Sequence, residues 1–582
     1  MTRGERRADA LTAAAVFAGF AALFWMGRSR SFGMGDSAQH VLSALFWAVP
    51  HPPGYPLQTA LGWLWSRLPW ADPGAAVNGL SGIYSAAAAA ALFWLLRRGG
   101  ARQAAALIGA ALMAFSPLFW YYALVAEVRA LNDLLALAAA CCAFAWSRSS
   151  SSRALLAFSL LFGLGLSHHP TYVFLIPAYA AWLSARRPSG KLAAQAAGLL
   201  LLGLAGPYLL LGLRLSRGAP VYNLFEVRGW GDLWPLFTRA RLGGPLRMAG
   251  GAPLLGSMRF DFARLAEHAG WFLSSLWTHG GPVALPLSAL GAAALWKNDR
   301  RDLTAWTLWL AATAGVYLVF SSQQMPPVDP EYARAVAARF HLLPLISVFA
   351  LAGLGAEALA RRVRPRLVNL LLAAVLATPL ALRPLSLARQ NPLRDYARGL
   401  VRDSSPGDFV VLGGDDTIFA ALEMELLGET GGRVFLCPAM FAFPPYQRRL
   451  QSTYPGVKLP PPGPRGLSTD WSLWKKLNPG RAVLAESSLR DDVLADFPKS
   501  VPQGTVIRVE SVAAPSDPAA DARRFLDAPE TGAFTRRQSR TWTQEIYLLH
   551  ARRRMAEWLA SRLDPDRDGA LRERLVLLME AL

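Results

Sequence analysis

Asp36 lies in the loop Gly35-Asp36-Ser37-Ala38-Gln39-His40, just beyond the first apolar run, and the turn His51-Pro52-Pro53-Gly54-Tyr55-Pro56 follows it. A carboxylate at a membrane–water boundary can accept a proton from an attacking hydroxyl while an anionic lipid phosphate departs. The same residue could instead cap an amphipathic helix over 37–48, whose apolar positions Val41, Leu42, Leu45, Phe46 and Val49 share one face. Three prolines stiffen the second segment, and Gly54 permits close backbone approach. Alternatively it merely links two interfacial helices; Trp63, Trp65 and Trp70 beyond it suit a helix lying on the bilayer.

Other groups could take part in the same chemistry. Glu127 and Arg129 flank the start of an apolar run, with Asn132 and Asp133 close behind. Ionisable residues so near a membrane are expensive unless paired or functional, and a local pairing of Arg129 with Glu127 or Asp133 is the plain alternative. His168-His169-Pro170 joins two short runs. Adjacent histidines do not readily face one metal, so hydrogen bonding to a phosphate or sugar suits them better. Arg339 and Arg241 are the candidates for holding a lipid phosphate, which a guanidinium binds through paired hydrogen bonds; otherwise they are interfacial arginines touching headgroups. Two segments imitate known sites. Asp564-Pro565-Asp566-Arg567-Asp568-Gly569 opens like a calcium loop but has Leu575 where a bidentate Glu is needed, and reads as a polar turn. Gly413-Gly414-Asp415-Asp416 follows an expected strand without the spacing of a dinucleotide site.

The elements that must position these groups are apolar helices. Of 582 residues, 53% are hydrophobic and only 17% charged, with a mean hydropathy of +0.25, which points to a polytopic membrane protein. Apolar runs of helical length fall at about 10–27, 79–96, 104–122, 130–147, 153–167, 171–185, 191–213, 268–296, 303–320, 341–359 and 367–383. Basic residues follow every even-numbered run, among them Arg97 and Arg98, Arg148 and Arg153, and Arg361 and Arg362. This places those loops and the N-terminus in the cytoplasm and the region after about 384 outside. The net charge of +20 is accounted for by such clusters, so no nucleic-acid partner is expected. The first run reads as an uncleaved anchor, since cleavage would detach the Asp36 loop. Cys141, Cys142 and Cys437 suggest no disulfide framework.

These features predict about eleven transmembrane helices over 1–383, with outer loops 28–78, 214–267 and 321–340. An extracytoplasmic α/β domain is expected over 384–540, with short strands at Phe409–Leu412, Val434–Leu436, Ala482–Ala485 and Thr505–Val509. A C-terminal helical pair is expected over 541–582.

The segments Asp36–Gln39, His51–Leu57, Ala126–Asn132, Trp230–Asp232, Arg339-Phe340 and Gly414–Thr417, in this order, resemble a family. It is the bacterial branch of the once uncharacterised family whose eukaryotic relative is a protein O-mannosyltransferase, and it is similar to the wider GT-C glycosyltransferases. The resemblance covers about 30–460, and His-Pro-Pro-Gly-Tyr-Pro-Leu is its most specific piece. It implies a GT-C-like, inverting membrane glycosyltransferase of the inner membrane that moves a sugar from a polyprenyl-phosphate donor to a hydroxyl of a protein, glycan or lipid. Asp36 matches the expected catalytic base, Glu127 the acid of the Ala-Glu-Val motif and Arg339 the arginine expected on the donor phosphate; Arg241 remains the second phosphate candidate from the reading of the residues. Gln39, His51, Glu127, Trp230 and Asp232 lie in the matching segments and, with His168 and His169 from the reading of the residues, are the expected acceptor- or sugar-binding positions. Gln39 replaces an acid of the family pattern, which leaves metal dependence open; no resident cofactor is implied. A flippase of lipid-linked saccharides and a noncatalytic assembly factor are the alternatives. The first would show charges buried mid-span or an internal repeat of broken helices.

Overall fold

The computed structural model describes residues 3–30, 36–218, 220, 223, 225–240, 262–321, 334, 337–363, 365–381, 392–413, 415–442, 444–463, 466–486, 500–503, 506–509, 517–527 and 543–581. The chain forms two compact units, residues 1–29 with 43–388 and residues 30–42 with 389–582.

The eleven apolar runs all fold as helix. In the first unit they are α1 (Arg3–Gly27), α4 (Pro73–Arg98), α5 (Gln103–Phe115) with α6 (Pro117–Leu124), α7 (Val128–Ser149), α8 (Ser152–His168), α9 (Ile176–Leu183), α10 (Gly190–Leu215), α12 (Phe262–Asn298), α13 (Arg300–Ser321), α14 (Leu342–Ala360) and α15 (Pro365–Ala381). The shorter α2 (Ser37–Phe46), α3 (Pro56–Ser66) and α11 (Leu233–Phe237) lie between them. Among the described residues, five helices are long and apolar enough to cross a membrane, six if the bent α5–α6 pair is one crossing. This is a mostly helical, multi-pass membrane protein.

Prolines account for the departures from unbroken spans. The run expected at 104–122 bends by 63° between α5 and α6. Ser116 there is extended at φ −56° and ψ 129°, because the residue before a proline is pushed out of the helical region, and Pro117 opens α6. In α12, Gly281 before Pro282 takes φ 74° and ψ 170° and kinks the helix. The run expected at 171–185 divides into a 3-10 turn at Pro170–Leu175 and α9, with Pro177 in the first turn of the latter.

Short polar residues start the long helices. Asp72 accepts the Ala75 amide at 2.9 Å, Ser151 that of Ala154 at 3.3 Å, and Ser189 that of Leu192 at 3.3 Å, each satisfying an otherwise orphaned N–H. Small residues let helices meet closely. Gly163 of α8 and Gly203 of α10 face each other, and a Cβ on either would run into the other helix's backbone.

In the second unit a five-stranded sheet has the order β2-β1-β5-β7-β6. Its strands are β1 (Phe409–Val411), β2 (Val434–Leu436), β5 (Val483–Glu486), β6 (Ser500–Gln503) and β7 (Val506–Val509), while β3 (Pro462–Gly463) and β4 (Gly466–Leu467) form a small separate ribbon. β1 runs parallel to β2 and β5, and β7 is antiparallel to β5 and β6. Strand β6 was not expected from the sequence. At the carboxyl end of β1, the buried Glu486 accepts the Gly413 amide at 2.6 Å and the Thr417 hydroxyl at 3.2 Å. The closing helices span Thr543–Arg562 and Gly569–Ala581. Between them Asp564 accepts the amides of Asp566 and Arg567 at 2.9 and 3.2 Å, the polar turn read from the sequence.

Candidate active site

Asp36 stands one residue before α2, and its carbonyl accepts the His40 amide at 3.0 Å. That bond gives it the N-cap place, where a helix dipole favours negative charge. Gln39 lies three residues on and is fully buried. Both belong to the 30–42 segment of the second unit.

In the first unit Asn78 of α4 fixes the chain ahead of Glu127. Its Nδ2 donates to the Ser29 carbonyl at 3.1 Å, and its Oδ1 accepts the Ala126 amide at 2.8 Å. Glu127 caps α7, its carboxylate accepting the Val128 amide at 3.1 Å. Two residues further, Arg129 is 8% exposed. It makes no ion pair among the described residues, where its Nε also lacks a hydrogen-bond partner. Its guanidinium carbon lies 4.8 Å from the Phe340 ring centre, and that of Arg339 lies 5.4 Å from the same ring. The local ion pair offered as the plain alternative thus does not form among the described residues, although Asp133 is also buried on α7.

The His51–Pro56 turn is built against other parts of this unit. Gly54 takes φ 88°, and a Cβ there would sit 2.7 Å from the Leu236 side chain. The Pro53 carbonyl accepts the Tyr208 hydroxyl at 2.8 Å. Tyr55, left-handed at φ 40°, opens α3. Its hydroxyl shares a hydrogen bond of 3.2 Å with His51 Nε2, and its ring stacks on His169 with centroids 6.0 Å apart.

The two histidines face different partners. His168 Nε2 donates to the Val128 carbonyl at 2.9 Å, which ties the end of α8 to the start of α7. His169 Nδ1 accepts the Thr171 amide at 3.2 Å, so the neutral ring carries its proton on Nε2. Burial holds the His169 pKa well below the ordinary 6.5, aided by Arg129, His168, Arg239 and Arg339. Guanidinium groups from three distant parts of the chain thus act on one neutral imidazole. The Nε of Arg239, like that of Arg129, is buried without a hydrogen-bond partner among the described residues. Such an arrangement suits a tetrahedral oxyanion.

Arg241 lies outside the described residues. Trp230 and Asp232 take structural places: the Trp230 ring lies against Gly212 of α10, and Asp232 accepts the Arg228 amide at 2.8 Å. Sequence reasoning gave Arg239, Tyr55 and Phe340 no role of their own and left Arg129 open between a local pairing and a functional place. The only signal for Arg129 was its ionisable character at a helix start. No set of three or more His, Cys, Asp or Glu among the described residues is placed to hold a metal.

Residues 36–191 match the N-terminal domain of the protein O-mannosyl-transferase TMEM260. The chain is 32% identical over 186 residues to "Protein O-mannosyl-transferase TMEM260" of Mus musculus, covering 31% of this chain and 26% of the mouse protein. It is 24% identical over 370 residues to the Dictyostelium discoideum protein of that name, covering 58% of this chain and 43% of the relative. The chain thus spans less than half the length of either relative. Among solved structures, the Archaeoglobus fulgidus oligosaccharyltransferase overlaps 86% of this chain and 75% of its own, with TM-score 0.47 and 11% identity. ArnT from Cupriavidus metallidurans bound to undecaprenyl phosphate overlaps 86% and 99%, with TM-score 0.37 and 14% identity. Scores below 0.5 carry no argument for a shared fold. Over the segment that holds Asp36, His51, Glu127, Arg129 and both histidines, the chain is similar to the N-terminal domain of protein O-mannosyl-transferases.

Proposed function

We propose that this chain is a membrane glycosyltransferase of GT-C type that moves a sugar, mannose first among the candidates, from a polyprenyl monophosphate to a hydroxyl on a protein, glycan or lipid. The observation that carries the reading is the approach of two guanidinium groups, Arg129 and Arg339, to the one Phe340 ring. Neighbouring guanidinium groups, with Arg129 buried, suit an anion, and the matching segment is similar to that of relatives named as O-mannosyl-transferases.

In this reading the guanidinium groups bind the donor phosphate and stabilise the charge that grows on it as the glycosidic bond breaks. Asp36 accepts the proton of the attacking hydroxyl, attack opposite the phosphate inverts the anomeric carbon, and Gln39 hydrogen-bonds the sugar or acceptor. The His51–Pro56 turn holds Tyr55 against His169 and so fixes the floor of the phosphate site. The basic clusters that follow the even-numbered runs support a cytoplasmic N-terminus and a phosphate site on the outer side.

The test is transfer from a panel of labelled polyprenyl-phosphate sugars by membranes carrying wild type or equally expressed Asp36→Asn. Loss of a general base lowers transfer about 10²- to 10⁴-fold and leaves donor binding intact. Equal transfer by both proteins removes Asp36 from the mechanism.

A further inference from the structure

Phe340, which both Arg129 and Arg339 approach, also packs beside a second polar group that this mechanism leaves unused. The Tyr317 ring of α13 stacks on Phe340 with centroids 6.4 Å apart at 25°. His341, the residue after Phe340, packs edge-on to Tyr317 at 4.3 Å and to Phe272 of α12 at 5.2 Å. His268 Nδ1 shares a hydrogen bond of 3.3 Å with the Tyr317 hydroxyl, and the His268 ring lies 4.4 Å from Trp271.

His341 is 1% exposed, and neither ring nitrogen has a hydrogen-bond partner among the described residues. A neutral imidazole offers one donor and one acceptor, and leaving both buried and unmade is unfavourable. Something must satisfy them. The surroundings favour a neutral ligand bearing hydroxyl groups. His341 packs against the rings of Phe272 and Tyr317, with Phe340 beside Tyr317, and the polar atoms among them are few, as in sites for small uncharged molecules. An anion is better served by the arginines beside Phe340, and no metal-holding set is present among the described residues.

We infer that His341, with Tyr317 and His268 beside it, hydrogen-bonds the hydroxyl groups of the carrier-linked sugar and so sets which sugar is accepted. The inference rests on the reading of the guanidinium cluster as the donor-phosphate site. A sugar joined directly to phosphate has to lie beside that cluster, and Arg129, Arg339 and Tyr317 all approach the one Phe340 ring.

The experiment measures binding of undecaprenyl phosphate and of its mannose, glucose and galactose conjugates to the full chain in nanodiscs. Wild type binds at least one conjugate more tightly than the bare lipid. His341→Phe, which keeps the ring and its packing, loses that gain by about tenfold and binds the bare lipid as before. His341→Gln, which retains a donor and an acceptor, keeps most of it. Undiminished preference for the conjugate in His341→Phe overturns the inference, with bare-lipid binding showing that the phosphate site is intact. Equal loss for bare and conjugated lipid also overturns it, since the residue then serves packing or the phosphate. Wild type that binds the bare lipid but prefers no conjugate leaves no sugar contact to assign and overturns it as well. Absence of bare-lipid binding in wild type refutes the phosphate reading, and the sugar subsite falls with it.

Discussion

Arg129 stands 4.8 Å from the Phe340 ring centre, which Arg339 approaches at 5.4 Å on its own account. Sharing one ring keeps the two cations within about 10 Å of each other, where their repulsion is about 2 kcal/mol at an effective dielectric near 20. An anion between them turns that repulsion into a binding site. Arg129→Gln is expected to lower affinity for undecaprenyl phosphate by about 10- to 100-fold, the loss of one charge-assisted hydrogen bond. The unliganded protein should be no less stable for the change. Arg239→Gln falls in the same range. Titrations in nanodiscs that find unaltered affinity in both variants would remove these arginines from the phosphate site.

His169 gives the site a pH signature. Its folded pKa lies well below 6.5 through burial and the neighbouring Arg129, His168, Arg239 and Arg339. As pH falls through about 6.5, the unfolded chain takes up a proton that the folded chain refuses. The stability that His169 contributes is therefore complete above about 6.5 and declines below it, by up to about 1.4 kcal/mol per pH unit. His169→Asn, which can still accept the Thr171 amide, should show a shallower fall in unfolding midpoint between pH 7.5 and 5. Saturating undecaprenyl phosphate should flatten the wild-type slope, because its charge offsets the arginines. Identical slopes for wild type and variant, with and without lipid, would contradict the placement.

Gly54 tests the turn. Alanine there must take φ 88° and place its Cβ 2.7 Å from the Leu236 side chain. Left-handed backbone costs about 1–2 kcal/mol for a residue with a Cβ. Gly54→Ala should lower the unfolding midpoint and weaken donor binding, because the turn carries His51 and Tyr55. Adding Leu236→Ala relieves the contact but not the backbone, so the double variant recovers only part of the binding. Full donor affinity in Gly54→Ala would show that the turn does not position the site.

The helices were legible because apolar runs between basic clusters need no tertiary information, and the strands at 409–411, 434–436, 483–486 and 506–509 were legible as short β-branched runs between polar segments. The bend at Ser116-Pro117 was written in the proline but passed over, since hydropathy is indifferent to it. Of the site, Arg339 and the histidines could be picked out by type and place. Arg129 could not be assigned: its spacing from Glu127 and Asp133 is that of a local ion pair, and only the fold shows it turned to a ring more than two hundred residues away. Arg239 was similarly hidden, because nothing local separates it from Arg241.

The most direct test follows both products of the reaction. Purified protein in nanodiscs is given a polyprenyl-phosphate mannose labelled in the sugar, together with a membrane-protein extract as acceptor, and bare polyprenyl phosphate and labelled acceptor are measured together. The account predicts that the two appear in equal amounts with wild type and that neither appears with Asp36→Asn. Donor that stays intact, or that crosses the bilayer unchanged in both proteins, would contradict glycosyl transfer and favour transport of the lipid-linked sugar.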